Sequence, residues 1–75
     1  MAKLAITFED KQGTVMIGVT ILEGSLPIHP RGFTNAQETC DGVLRLMRSV
    51  GPEGAVKETL SEYIVKLARA ELKMN

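Results

Sequence analysis

Apolar residues alternate with polar or small ones twice near the start of the chain. Leu4, Ile6 and Phe8 alternate with Ala5, Thr7 and Glu9. Val15, Ile17, Val19 and Ile21 alternate with Met16, Gly18, Thr20 and Leu22. A period of two marks half-buried strands, and the β-branched and aromatic content suits a pleated surface. Between the runs lies Asp10-Lys11-Gln12-Gly13. Asp at the first position and Gly at the last fit a type I turn in a four-residue loop. With Phe8 paired near Val15 across that loop, Leu4, Ile6, Phe8, Val15, Ile17, Val19 and Ile21 share one face. Pairing of Asp10 with Thr14 splits them between both faces, since a one-residue slip inverts a strand. The first register concentrates apolar area and is the expected one.

The pattern breaks at Glu23–Phe33, where Gly24, Ser25, Pro27, Pro30 and Gly32 punctuate a loop. The alternation of Leu26 and Ile28 with Pro27 and His29 allows a short third strand over residues 25–29, at the sheet edge where proline is tolerated. Helical spacing follows. Thr34-Asn35-Ala36-Gln37 is a capping-box pattern, and Ala36, Cys40, Val43, Leu44, Met47 and Val50 recur as one stripe up to Gly51. Gly42 costs about 1 kcal/mol against Ala inside a helix, and its missing side chain is expected to permit close approach to the sheet. A second helix is expected from Pro52, since proline suits the first helical position. Val56, Leu60, Ile64 and Leu67 form its stripe, with Leu72 as a further candidate. Glu53–Lys57 and Glu62–Lys66 have i,i+4 spacing, and Lys73 complements the dipole near its end. Val43, Met47, Leu60, Ile64 and Leu67 are expected to cover the hairpin.

These elements predict an α+β domain in the order ββαα, with an antiparallel hairpin packed against two helices. Seventy-five residues make one domain, 1–75. A core of that size supplies only about 3–5 kcal/mol. One cysteine excludes an internal disulfide, so packing or self-association is the expected stabiliser. Formal net charge is zero, so no overall field steers the chain to nucleic acid. No apolar run approaches the ~20 residues of a membrane span, and no leader pattern opens the chain. A lone thiol fits a reducing compartment, and the expected location is the cytoplasm.

Candidate chemistry is sparse. His29 has Ser25, Glu23 and Arg31 near it in sequence, without a catalytic spacing. Cys40, on an apolar helix face, reads as a small buried hydrophobe. Glu9 with Asp10, and Glu38 with Asp41, read as solvated charges. No cofactor or metal site is expected, and no enzyme. Gly51-Pro52-Glu53-Gly54 opens a helix, but Glu53 would repel a phosphate. Arg45, Arg48, Lys66 and Arg69 are the candidate nucleic-acid contacts, broken up by Glu58, Glu62 and Glu71 and without interleaved aromatic residues. The stronger hint is apolar: Met16, Thr20, Leu22, Leu26, Ile28 and His29 are the candidate partner contacts, because two helices cover only one face of a hairpin.

Leu4-Ala5-Ile6-Thr7-Phe8-Glu9-Asp10, Gly13-Thr14-Val15, Leu26-Pro27 and Thr34-Asn35-Ala36-Gln37 together resemble short proteins of phage and prophage genomes. The resemblance covers roughly the first half of the chain. It implies a cytoplasmic accessory protein of bacterial or phage origin and carries over no site residues. The expected function is a non-enzymatic protein-binding or regulatory module that forms a homodimer, with nucleic-acid binding as the alternative.

Overall fold

The protein was analysed as a computed structural model, which describes residues 1–74. Two strands lead: β1, Lys3–Lys11, and β2, Thr14–Glu23. A 3₁₀ turn, Pro30–Gly32, precedes α1, Asn35–Val50, and α2, Leu60–Met74. The strands form a two-stranded antiparallel sheet. The expected ββαα architecture is the observed one. Residues 25–29 form no third strand; they lead into the 3₁₀ turn, where His29 and Pro30 carbonyls accept from Gly32 and Phe33.

The hairpin has the expected faces by a different turn. Phe8 pairs with Ile17, Ile6 with Val19 and Leu4 with Ile21, while Asp10 faces Val15. The loop is only Gln12-Gly13, with φ of 47° and 83°. Two left-handed residues make the two-residue turn that matches strand twist, which the four-residue type I arrangement does not. The pairing moves by two residues, so every side chain keeps its face. A register shift between Lys3 and Leu4 places Glu23 opposite Lys3, leaving Leu22 as the extra residue of a bulge.

Helix α1 begins as its capping chemistry requires. Thr34 Oγ1 accepts from the Gln37 N–H at 3.2 Å, and Gln37 Oε1 accepts from the Thr34 N–H at 3.0 Å. The buried stripe is shifted from the expected one. Cys40 and Leu44 are buried, but so are Gln37 and Asp41, while Val43 and Val50 are exposed. Polar side chains occupy inner positions because each has a partner. Gln37 Nε2 donates to the Ser25 carbonyl at 3.1 Å, tying the loop to the helix. Asp41, expected in solvent, reaches the start of α2. Gly42 faces open space and approaches no part of the sheet.

The second helix starts eight residues later than its proline suggests. Ala55 N–H donates to the Pro52 carbonyl at 3.1 Å around Gly54, whose φ is 81°. Glycine in that third position is what a type II turn requires. The segment then runs beside β2: the Ile17 N–H donates to the Ala55 carbonyl at 2.9 Å, and Ala55 and Val56 are buried. Thr59 caps α2, its Oγ1 accepting from the Glu62 N–H at 3.3 Å while Glu62 Oε1 accepts from the Thr59 N–H at 3.0 Å. Glu53 and Lys57 therefore share no helix. Lys73 lies outside the described side chains.

The core joins Ile17, Cys40, Leu44, Ala55, Val56 and Leu60, flanked by Leu4, Ile6, Val19, Leu26, Phe33 and Met47. Helix α1 packs on β1, and residues 55–60 cover β2. Helix α2 packs on α1 and the 3₁₀ turn, with Ile64 buried and Leu67 exposed. Cover of the hairpin thus comes from Leu44, Ala55, Val56 and Leu60 in place of Val43 and Leu67.

Two helices meet at Asp41. Its Oδ1 accepts from the Ser61 N–H at 2.9 Å and its Oδ2 from the Ser61 hydroxyl at 2.8 Å. Arg45 lies 3.0 Å from Oδ2. The carboxylate thus satisfies an orphan donor in the first turn of α2 and complements that helix's dipole. Asp41→Ala is expected to cost about 2–3 kcal/mol, since it removes charge-assisted bonds and strands a partly buried N–H. Asp41→Asn is expected to cost less, because an acceptor for the Ser61 N–H remains. Gly42→Ala is expected to stabilise by about 0.5–1 kcal/mol, the helix-propensity difference at an uncrowded site. Urea denaturation of the three variants checks all of this.

Candidate interaction surface

The six expected partner contacts do not form one patch. Met16 and Thr20 lie on the outer face of β2, the first half-buried and the second exposed. Leu22 protrudes at the bulge. Leu26 and Ile28 lie outside the strands: Leu26 packs on the core and shares a cleft at β2 with Met16, and both border a groove against α2. His29 is exposed and acts locally: its Nδ1 accepts from the Arg31 N–H at 3.1 Å, capping the 3₁₀ turn.

Two apolar clefts flank Leu26. One, of about 390 Å³, lies between β2 and the start of α2, with Val19, Ile21, Leu60 and Tyr63 in its walls and Lys57 and Glu58 at its rim. The other, of about 470 Å³, lies between the loop and the middle of α2, lined by Pro27, Ile28, Ile64, Leu67, Ala68 and Leu72, with Glu71 as its one charged residue. Leu67, Ala68 and Leu72 were not among the expected contacts. The signal for them is a helix that runs on past the core with leucines still at helical spacing. Ile28 is 87% exposed and Leu72 77% exposed, so the second groove has an apolar rim as well as an apolar floor.

The basic candidates are distributed over α1 and α2. Arg45 sits on Asp41 and donates to the Ser61 hydroxyl at 3.3 Å. Arg48 grips Glu62 with both Nη atoms, at 2.9 and 2.7 Å, and donates to the Lys57 carbonyl at 3.1 Å. Lys66 lies 3.9 Å from Glu58, and not against Glu62 as the i,i+4 spacing suggests. Arg69 borders a shallow depression with Val65 and Ala70. Three of the four cations thus face a carboxylate.

Cys40 is buried, and burial pushes its thiol up, with Asp41 adding to the shift. It has the character of a small hydrophobe. Among the described residues, no three metal-ligating side chains stand together, and no helix is long and apolar enough to cross a membrane. No protein-family model, no curated protein and no solved structure matches this chain.

The Arg48 guanidinium and, second, the Thr59 N–H hold the Glu62 carboxyl at about 2, below its usual 4.5. A depressed folded-state value stabilises the fold above the unfolded value and ceases to do so as the carboxyl protonates in the native state. The contribution is therefore complete above about pH 4.5 and is lost as pH falls through about 2. Both partners are substantially exposed, so salt weakens it. Glu62→Gln is expected to lower stability at neutral pH and to flatten the loss between pH 4.5 and 2, read by urea midpoints across that range.

Proposed function

We propose that this chain is a non-enzymatic protein-binding module, an accessory or regulatory protein of bacterial or phage origin that acts in the cytoplasm on a host or phage protein. One observation supports it above the others: the groove between Leu26–Ile28 and α2. Its floor is apolar, its rim carries Ile28 and Leu72, and it sits between a rigidly capped loop and a helix. A concave apolar surface with an exposed apolar rim favours a partner that presents aliphatic or aromatic side chains. The Ser25–Gln37 bond and the His29 cap hold the loop wall in place without a partner, which lowers the ordering cost of binding.

Nucleic-acid binding through Arg45, Arg48, Lys66 and Arg69 has less support. A cation already held by a carboxylate must give up that partner to meet a phosphate, and Arg48 would give up two strong bonds.

A photo-crosslinking residue in place of Ile28 is expected to capture a discrete partner in cells. The same residue in place of Glu53, in the turn before α2, is not. Leu67→Lys is expected to abolish capture while the far-UV circular dichroism stays unchanged. Equal capture from both positions, or capture indifferent to Leu67→Lys, rejects the groove as the binding site.

A further inference from the structure

The two edges of the sheet are treated differently. The Ile17 N–H points away from β1, because it donates to Ala55. Ile17 is therefore in a pair that exchanges no hydrogen bonds with Phe8, and the alternation of an antiparallel ladder extends this to Leu4, Ile6 and Asp10. The backbone groups of Leu4, Ile6, Phe8 and Asp10 thus point outward from β1. At the β2 edge residues 55–60 stand alongside and Ala55 accepts one backbone bond, from Ile17, whereas among the described residues no backbone segment takes up the outer groups of β1. An open, nine-residue edge with apolar side chains on its helix-facing side is a template for another strand.

Beside that edge runs a shallow groove against α1, bordered by Leu4, Ile6, Ala36, Thr39, Cys40 and Val43. On the same strand Phe8 projects from the same face as Leu4 and Ile6, 63% exposed beyond the reach of the helices. One protomer therefore carries both a groove and an apolar projection.

Charge selects how two such edges meet. A two-fold axis perpendicular to the sheet can pass through Ala5, Ile6 or Thr7 of an antiparallel pair. Centred on Thr7, the pairing sets Lys3 against Lys11 and Leu4 against Asp10. Centred on Ala5, it sets Lys3 against Thr7 and leaves Glu9 opposite Met1. Centred on Ile6, it sets Lys3 against Glu9 twice, and Leu4 against Phe8 twice. Only this last register pairs opposite charges within the strand while keeping apolar residues on apolar residues. It also brings each Phe8 beside the Leu4 end of the other protomer's groove. Lys3 and Glu9 form no ion pair with other described residues of their own chain.

We propose that the β1 edge binds a second copy of this chain, antiparallel and centred on Ile6, to make a four-stranded sheet in the order β2-β1-β1-β2. This surface is separate from the groove beside α2, so the proposal stands apart from the function assigned to that groove. The interface is isologous, and it turns a marginal two-stranded hairpin into a sheet with two covered central strands.

Sedimentation equilibrium of the full chain tests the pairing. The unmodified protein is expected to be a dimer at tens of micromolar. Glu9→Lys, on the exposed outer face, is expected to raise the dimer dissociation constant about tenfold or more, because two attractive pairs become repulsive. The double variant Lys3→Glu with Glu9→Lys is expected to recover most of that loss, a result that general damage to the hairpin cannot give. Far-UV circular dichroism confirms that each variant is folded. A monomer at tens of micromolar overturns the proposal. So does a dimer that is indifferent to Glu9→Lys, or one weakened by it without recovery in the double variant.

Discussion

One buried carboxylate joins the two helices of this fold. Asp41 lies inside α1, yet its bonds are made to Ser61 at the start of α2. An aspartate in a helix interior is a poor helix former when its side chain has only local backbone to bond. Here it stands at the opening of a second helix, where orphan N–H groups and a positive dipole end favour an anion. Arg45 closes the arrangement from the solvent side. Leu60, next to Ser61 in the chain, is buried in the core, and Ile64 one turn further is buried as well.

The eight residues before α2 perform a related task for the sheet. A two-stranded sheet has two open edges, and a helix cannot hydrogen-bond to either. Pro52–Thr59 is extended enough to offer a carbonyl to Ile17 and compact enough to bury Ala55 and Val56. Its irregularity is therefore functional in the fold: a helix begun at Pro52 would leave β2 uncovered. The same geometry explains why α2 overshoots the core. Its first turn is used to meet Asp41 and Leu44, and its later turns extend over the loop, where Leu67 and Leu72 border a groove instead of a sheet.

Local chemistry was legible in the chain, and distant partnerships were not. The faces of the hairpin follow from side-chain parity, so they survived an incorrect loop length. The cap at Thr34 is written in four consecutive residues, so it is legible from sequence alone. Thr59-Leu60-Ser61-Glu62 carries the same signal, but Pro52 and the apolar Val56 drew the start of the helix forward. Gln37 and Asp41 look like solvent residues because their partners, Ser25 and Ser61, lie 12 and 20 residues away. The stripe of α1 was misplaced for the same reason: two of its inner positions are polar. Leu26 and Ile28 are legible as apolar residues in a loop, whereas the groove they share with Leu67 and Leu72 depends on the packing of that loop against α2, which no local pattern encodes.

The turn at Gln12-Gly13 bears on how the molecule assembles in time. Closing two residues costs little loop entropy, and hairpins of this kind form in roughly 1–10 μs. The ties that bring Ala55 to Ile17 and Ser61 to Asp41 span much longer loops and depend on helices already in place. Contacts within the hairpin therefore cost less loop entropy than those of residues 55–61, whose arrival covers its apolar face. Until then the apolar face of the hairpin is bare, and the speed of that arrival sets how long it stays so.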